Sequence, residues 1–328
     1  MLNFLFRRVV YMAVTIVFIS IIGFVLIQLP PGSALDAKIE QLRALGGETS
    51  QDQIRTLEER YGLRDPIQVK YWKWVSGVVT RGDFGQSFTY EQPVSRLIWD
   101  RLLFSLVLSL SSLVFSWLVA IPLGVYSATH RYTVPDYVIT LLQFIGVAVP
   151  NFLLALVLMV FASNVLHVDV GGLYSIKYQN AAWSWDKFVD LLGHLWIPII
   201  VIAAGSTAWL TRVMRANLLD VLNQQYVQTA RSKGLQENVV IWKHAVRNAL
   251  HPLVMALGGL LPALISGEVI ASIVLNLPTT GPLMANALIN KDMYLAITFL
   301  MFLSVMLLIG NLLADLLLAW VDPRVRLE

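Results

Sequence analysis

The sequence contains no cysteine, and only 14% of its 328 residues are charged. The absence of cysteine excludes disulfide bonds, thiolate catalysis and cysteine-ligated metal sites. The low charge excludes an ordinary soluble globular domain, in which about a quarter of the residues are charged. Because hydrophobic residues make up 57% of the chain, the composition indicates a protein that crosses a membrane several times.

The signatures of nucleotide and metal chemistry are also missing. The phosphate-cradling pattern G-x-x-x-x-G-K-[ST] does not occur, and the sequence contains no Gly-Lys pair. The five histidines are scattered, and none lies in an H-E-x-x-H pattern. We therefore expect no bound cofactor, no metal site and no catalytic residues in this chain. A net charge of +3 does not suggest a nucleic-acid partner.

Six long apolar runs are present, and each is long enough for a helix to cross a hydrocarbon core of about 30 Å. They are too long and too uniformly apolar for the alternating strands of a membrane barrel. The sequence therefore predicts an all-α polytopic protein with about six transmembrane helices. The runs are residues 9–29, 102–129, 137–166, 191–211, 249–277 with Glu268 inside it, and 293–321 with Asp315 inside it.

The distribution of lysine and arginine predicts the orientation. The first run follows Arg7 and Arg8, has 21 residues and is not followed by an A-x-A cleavage site, so it reads as an uncleaved anchor. Six crossings place both termini on the same side, together with the basic loop at 212–251. Basic residues are concentrated on cytoplasmic sides of membranes. We therefore predict cytoplasmic termini, an external segment at 30–100, and a membrane domain at 101–328, with residues 1–29 as the N-terminal end and first helix.

The external segment is expected to be folded. Apolar residues recur at helical spacing, which predicts short amphipathic helices. Gly82-Asp83-Phe84-Gly85 predicts a tight turn before the second membrane run. Three aromatic residues fit either the lipid headgroup region or a small core within the segment, and the sequence leaves both open. The apolar residues are Ile39, Leu42, Leu45, Ile54, Leu57 and Tyr61, and the aromatic ones are Tyr71, Trp72 and Trp74.

The loop at residues 212–251 has the character of a helical docking surface. A helix is expected over Leu218 to Lys233, a left-handed cap at Gly234 lets the chain turn, and a second helix is expected over about Glu237 to Leu250. Helices this short need a partner surface. The residues alone leave open a solvated basic connector.

The same loop carries a resemblance to a known family. Residues 225–234 read QYVQTARSKG and residues 244–252 read HAVRNALHP. This pattern resembles the EAA loop of importer permeases driven by ATP-binding cassettes, in the branch for oligopeptides, dipeptides and nickel. Further matching segments run through nearly the whole chain in the same order: LFRR at 5–8, GDFGQS at 82–87, QPV at 92–94 and DPRVR at 322–326.

The resemblance implies a function and a set of partners. It implies a permease subunit of the inner membrane that works by alternating access beside a second homologous permease. Two ATPase subunits would bind ATP and magnesium, and an external binding protein would deliver the solute. The loop would dock in the ATPase grooves as the coupling element. The implied coupling residues are Tyr226, Thr229, Ala230, Arg231, Lys233, Gly234, His244, Arg247 and Asn248.

Some positions depart from the family pattern on the external half. The usual glutamate near the end of the fifth run is Ser272 here, and an acid occurs four residues earlier as Glu268. An ionisable residue inside a membrane run usually faces a cavity or a partner. Glu268 and Ser272 are therefore candidates for the translocation pathway, with a structural bond to a neighbouring helix as the alternative for Glu268. The general pattern also expects a proline at Arg247, which occurs here only later, as Pro252.

Two other classes of membrane protein would show different sequence features. An ion-coupled secondary transporter without ATPase partners should show broken helices in an internal repeat, and no convincing repeat is visible. A membrane enzyme should show a cluster of catalytic groups, and none is visible. The solute stays open at this point between peptides, oligosaccharides, nickel chelates and other small molecules.

Overall fold

The computed structural model describes residues 2–29, 32–46, 48–61, 65–168 and 171–321. The chain divides into two compact units. One contains residues 1–4, 104–278 and 306–328, and the other contains residues 5–103 and 279–305.

The unit built around residues 5–103 contains the long helix α1 (Leu2–Gln28) and three shorter helices, α2 (Ala34–Leu45), α3 (Glu48–Tyr61) and α4 (Ile67–Arg81). Helix α2 begins with a capping box, because the Ser33 hydroxyl accepts from the Asp36 amide and the Asp36 carboxylate accepts from the Ser33 amide. The amphipathic helices predicted here are confirmed. Leu35 and Ile39 form their buried core with Ile54, Leu57, Phe88 and Tyr294. Leu45, in contrast, is 71% exposed at the last position of α2.

The three aromatic residues of α4 have different environments. Trp74 is buried and stacks on Phe24 of α1 with ring centroids 5.6 Å apart. The Tyr71 hydroxyl lies 2.7 Å from the Ser20 hydroxyl of α1. Trp72 is 69% exposed. Tyr71 and Trp74 thus lie in a core that is shared with residues of α1 and of segment 293–305 and is not confined to the segment, whereas Trp72 lies outside it.

The predicted turn after α4 is present. Gly82 has a φ of 64° and caps α4 in the left-handed conformation. The Asp83 carboxylate then accepts from the Gly85 amide at 2.9 Å. Two short strands follow, β1 (Gln86–Ser87) and β2 (Gln92–Pro93), paired antiparallel. Within the same unit lie α13 (Thr280–Ile289) and the beginning of α14 (Met293–Val321).

The unit built around residues 104–278 holds most of the membrane helices. They are α5 (Val94–Thr129, which starts in the other unit), α6 (Val134–Ala148), α7 (Asn151–Phe161) and α8 (Trp185–Leu222). A π-helical turn at Ala162–Leu166 extends α7, and a 3₁₀ turn lies at Ile176–Tyr178. Helix α12 (His251–Val274) returns across this unit. One core cluster joins α5, α7, α8 and α12 through Leu108, Ala155, Ile197, Val201 and Ala271, among others.

The run at 137–166, expected to be one span, is bent. The chain direction changes by 111° between α6 and α7. Pro150 lacks an amide hydrogen for the helix and disfavours helical backbone in the preceding residue. Val149 is accordingly extended, with a ψ of 122°.

Within the described residues, four helices are long and apolar enough to cross a membrane, and the bent pair would make a fifth span. The four cover residues 6–28, 94–129, 185–222 and 293–318. The protein is therefore an all-α polytopic membrane protein with one short strand pair in its described part.

Candidate functional site

The loop at residues 212–251, called the 212–251 loop below, is a chain of short helices. Helix α8 ends at Leu222, and α9 (Gln225–Ser232) begins after a break. The expected continuous helix over Leu218 to Lys233 is therefore wrong. The Asn223 and Gln228 side-chain amides donate to the Leu219 and Leu222 carbonyls at 3.0 and 3.1 Å. Side chains thus satisfy carbonyls that the helix end leaves free.

The second expected helix of the 212–251 loop is present in three pieces. These are α10 (Glu237–Val239), a π-helical segment at Val240–Ala245, and α11 (Val246–Ala249). The π-helical segment has a wider turn than an α-helix, a feature that occurs often at functional sites. Helix α12 starts directly afterwards at His251. The loop therefore runs from one membrane helix to the next with almost no irregular backbone.

The turn between the two halves of the loop is a left-handed cap at Gly234, as predicted. Its φ is 74°. The Gly234 amide donates to the Arg231 carbonyl at 2.9 Å, and the Leu235 amide donates to the Ala230 carbonyl at 3.5 Å. This pair of bonds is the Schellman arrangement. A Cβ built on Gly234 would meet nothing within 4 Å, so the glycine is required by backbone conformation and not by crowding inside this chain.

The inner face of the loop is buried. Its apolar side chains form one cluster with the adjoining ends of α5, α8 and α12. The loop contributes Val227, Ala230, Val240, Ala245, Val246 and Ala249 to this cluster, and the helices contribute Ala120, Val125, Ala128, Leu210, Met214, Leu218 and Leu253. A loop packed this way cannot move without moving the helix ends, because protein interiors are close-packed and transmit displacement.

Ala230 belongs to this inner face. Its side chain is only 6% exposed. Ala230, one of the implied coupling residues, therefore packs its methyl group into the cluster beneath the loop and does not present it to an external partner in this structure.

The outer face of the loop carries most of the other predicted residues. Tyr226 is 42% exposed, and its hydroxyl accepts from the Asn248 side-chain amide at 2.6 Å. This bond ties the two halves of the loop together, so Tyr226 and Asn248 act as one unit. Thr229, Lys233, Gly234 and Arg247 are also exposed, and His244 is half-buried.

Arg231 makes a contact within the loop that the sequence did not indicate. Its guanidinium donates to both carboxylate oxygens of Glu237, at 2.6 and 3.2 Å. These bonds hold the pKa of the Glu237 carboxyl below its ordinary value of 4.5. Because a lowered carboxyl pKa stabilises the folded state above the unfolded pKa, the pair is intact at neutral pH and is lost only as pH falls through the folded pKa. Arg231 therefore braces the Gly234 turn.

At the base of the loop lies a partly buried ion pair that sequence reasoning missed. Asp136, at the start of α6, is 2% exposed. Its carboxylate accepts from the Arg215 guanidinium of α8 at 2.9 Å, from the Tyr132 amide at 3.0 Å, and from the Ser127 hydroxyl of α5. One acid thus joins α5, α6 and α8 close to where α8 enters the loop. The available signal was an isolated acid at the N-terminal end of an apolar helix, where the helix dipole favours negative charge.

A groove of about 570 Å³ opens between the loop and the C-terminal ends of α5 and α8. It is polar on the loop side, where Arg231 and Glu237 line it, and partly aromatic on the helix side. The Tyr126 and His130 rings stack there at 4.4 Å. The groove therefore lies between the loop and the membrane helices.

The two candidates for the translocation pathway lie on α12. Glu268 falls within this helix, but its side chain lies outside the described part of the structure. Ser272 is fully buried, and its hydroxyl has no hydrogen-bond partner among the described residues. The structure does not bring either residue to the 212–251 loop.

Comparison with known proteins covers the whole chain. A family profile described as binding-protein-dependent transport system inner membrane component matches residues 120–327. A second profile, for the N-terminal part of such membrane components, matches residues 1–111.

Three relatives illustrate the range of similarity. The oligopeptide transport system permease protein AppB of Bacillus subtilis is 36% identical over 327 residues, which is 99% of each chain. The glutathione transport system permease protein GsiC of Salmonella typhimurium is 28% identical, also over 99% of each chain. The nickel import system permease protein NikB of Staphylococcus aureus is 27% identical over 98% of this chain and 91% of its own.

Proposed function

This chain belongs to the family of binding-protein-dependent transport system inner membrane components, and we propose that it forms half of a peptide translocation pathway whose opening is driven through the 212–251 loop. The chain is a permease subunit of an ATP-driven importer of the ABC class and not an enzyme. Its family works with ATPase and substrate-binding partners. The secondary transporter that the sequence left as an alternative has no support among the relatives.

The observation that carries the proposal is the two-faced packing of the loop. Its inner face is buried against the ends of α5, α8 and α12, and its outer face presents Tyr226, Lys233 and Trp242 to the surroundings. A surface that receives force from one partner and passes it to membrane helices needs both faces. A merely solvated connector needs neither a buried inner face nor a braced turn.

The mechanism follows from this packing. ATP draws the two ATPase subunits together, and their grooves carry the docked loops with them. Because the inner face and the Asp136–Arg215 pair tie each loop to α5, α6 and α8, the helix ends move as a block. This rocking opens the pathway outward, where the binding protein releases the solute, and hydrolysis resets the inward-facing state.

The proposed topology has six crossings, with α12 as the fifth and both termini in the cytoplasm. The bias of basic residues toward cytoplasmic loops supports this orientation. Residues 30–100 are then external and form part of the receiving surface for the binding protein. Glu268 and Ser272 lie toward the external end of α12 and are proposed to face the solute or a gating contact.

A peptide is the proposed solute. The peptide permease of Bacillus subtilis shares 36% of its residues with this chain, against 27% for the nickel permease of Staphylococcus aureus. The proposed assembly has a second homologous permease, two ATPase subunits, which bind the ATP and magnesium, and one external binding protein.

Site-directed crosslinking tests the docking of the loop. Because the chain contains no cysteine, an introduced cysteine is the only thiol in this permease. Ser232→Cys lies on the exposed side of α9, and Val227→Cys lies on the buried side of the same helix. In the reconstituted importer, a short thiol crosslinker should join Ser232→Cys to the ATPase and leave Val227→Cys unjoined. Equal yields at both positions, or no product with Ser232→Cys, would remove the loop as the docking element.

A further inference from the structure

The turn between β1 and β2, residues 88–91, is held by a fully buried acid at the start of α14. This acid is Asp292, which directly precedes Met293 and is 0% exposed. One of its carboxylate oxygens accepts from the Ser87 hydroxyl at 2.5 Å and from the Thr89 amide at 3.2 Å. The other oxygen has no hydrogen-bond partner among the described residues. A half-satisfied buried acid serves stability less well than an apolar side chain does, which indicates a role beyond packing.

The 88–91 turn is strained and fixed at several points. Glu91 has a φ of 54°, which disfavours a residue with a side chain by roughly 5-fold to 30-fold. Its carboxylate pairs with Lys38 of α2 at 2.5 Å. The Tyr90 amide donates to the Ser87 hydroxyl at 3.2 Å, and the Tyr90 hydroxyl accepts from the Asn286 side-chain amide of α13 at 3.1 Å. Strain of this kind persists only where the surroundings enforce it, and it is concentrated at functional sites.

Apolar packing joins the same turn to the first turn of α14. Phe88 and Tyr294 lie in one cluster with the buried Leu35 and Ile39 of α2, and the Phe88 and Tyr294 rings are 6.4 Å apart. A Cβ built on Gly85 would come within 2.8 Å of the Tyr294 ring. The turn, α2 and the start of α14 are therefore close-packed, so a displacement of one is transmitted to the others.

Helix α14 extends from this block toward the candidate pathway helix. It is one helix of 29 residues without an interior proline, which is about 43 Å long. Farther along it, a Cβ built on Gly310 would lie 2.8 Å from the Gly258 carbonyl oxygen of α12. Helix α12 also carries Glu268 and Ser272. A shift at the start of α14 therefore has a packed route to α12.

We propose that docking of the external binding protein on the 88–91 turn is transmitted to α14 through Asp292, which acts as a positioning residue. The inference rests on the proposed function, in which residues 30–100 receive the binding protein. Thr89 and Glu91 are exposed, so the turn presents a polar surface to that partner. A partner that displaces the strained turn changes the bonds of Ser87 and Thr89 to Asp292, and with them the position of the first turn of α14.

Hydrogen exchange of the full-length permease without its partners tests whether the acid holds the turn. Ser87→Ala removes the hydroxyl that lies between the Tyr90 amide and Asp292. The amides of residues 89 and 90 should then exchange roughly 10-fold to 150-fold faster, as expected for the loss of a hydrogen bond to a charged group. The amides of α2 should exchange at their original rate. Asp292→Asn keeps an acceptor oxygen and should preserve most of the protection.

A matched control removes a buried hydroxyl that takes no part in holding the turn. The Thr298 hydroxyl of α14 donates to the Tyr294 carbonyl of its own helix at 2.7 Å. Thr298→Val should therefore leave the exchange of residues 89 and 90 unchanged.

ATP hydrolysis by the assembled importer in proteoliposomes tests the transmission. The importer is titrated with its external binding protein, and the ratio of stimulated to basal hydrolysis is measured at saturation. This ratio should fall toward one in Ser87→Ala and stay high in Asp292→Asn and Thr298→Val. A merely structural lesion lowers both rates and leaves their ratio unchanged.

Three results would overturn the proposal. Unchanged exchange of residues 89 and 90 in Ser87→Ala shows that Asp292 does not hold the turn. Recovery of full stimulation at higher concentrations of binding protein shows that the turn only docks the partner. An unchanged ratio at saturation leaves Asp292 a structural residue. If the unsubstituted importer is not stimulated either, the proposed function itself fails, whereas a stimulated importer with an equally stimulated Ser87→Ala variant removes the transmission through Asp292 alone.

Discussion

Substitutions at Gly234 separate two free-energy costs. One is the cost of holding a side chain in left-handed backbone within the permease, and the other is the cost of fitting that side chain against the ATPase subunit. Gly234 has a φ of 74°, a conformation that costs a residue with a side chain roughly 1–2 kcal/mol. A Cβ at this position meets nothing within 4 Å inside the chain. Gly234→Ala and Gly234→Leu should therefore destabilise the isolated permease equally, by about 1 kcal/mol. Gly234→Asn should cost less, because asparagine tolerates left-handed backbone.

The alanine and leucine variants, which should be equally stable as isolated permeases, should differ in their affinity for the ATPase subunit. If a groove encloses the turn, the leucine side chain overpacks the interface and costs about 1–3 kcal/mol more than alanine. That surplus weakens ATPase binding by roughly 5-fold to 150-fold. Import per ATP hydrolysed should fall in the same order, with glycine highest, asparagine and alanine next, and leucine lowest.

The measurement has two parts. Thermal unfolding of the permease without ATPase measures how much each substitution destabilises the folded chain. ATPase affinity, together with transport in proteoliposomes, measures how much each substitution weakens the interface with the ATPase. Alanine and leucine variants that bind ATPase with equal affinity and import at equal rates would show that nothing encloses the Gly234 turn, and the coupling role assigned to it would then be wrong.

Three further predictions concern topology, pathway and packing. An impermeant thiol reagent applied to intact cells should label Ser50→Cys and not Ser232→Cys, and the reverse pattern would overturn the orientation. Glu268→Gln should sharply reduce transport per assembled complex while basal ATP hydrolysis survives, whereas unchanged transport per complex would remove Glu268 from the pathway. Asp136→Asn leaves the Arg215 guanidinium without its carboxylate, so it should lower the stability of the complex in thermal unfolding by about 3 kcal/mol. Additional replacement of Arg215 by glutamine should recover part of that loss. Strictly additive effects of the two substitutions would contradict the pairing.

Much of the architecture was readable from local sequence. Membrane crossing depends on the length and apolarity of a run, both of which are properties of consecutive residues. The left-handed cap at Gly234 and the turn at Gly82 depend on backbone freedom that only glycine supplies at low cost. The amphipathic helices around Ile39 and Leu57 followed from a repeat of 3.6 residues. The coupling loop itself was found through its resemblance to a family, and its site residues remain predictions.

Tertiary structure decided which side of each local element faces which neighbour. Ala230 was expected on the docking surface and lies in the cluster beneath the loop, because the direction of a short helix face is set by what it packs against. The Asp136–Arg215 pair joins residues 79 positions apart, and no local pattern encodes such a contact. Trp72 and Trp74 are two residues apart in one helix, yet one is exposed and the other buried, since 200° of helical rotation separates their side chains. Sequence alone left Tyr71, Trp72 and Trp74 open between the headgroup layer and a core, and only the packing of α4 on α1 decided which of them is buried.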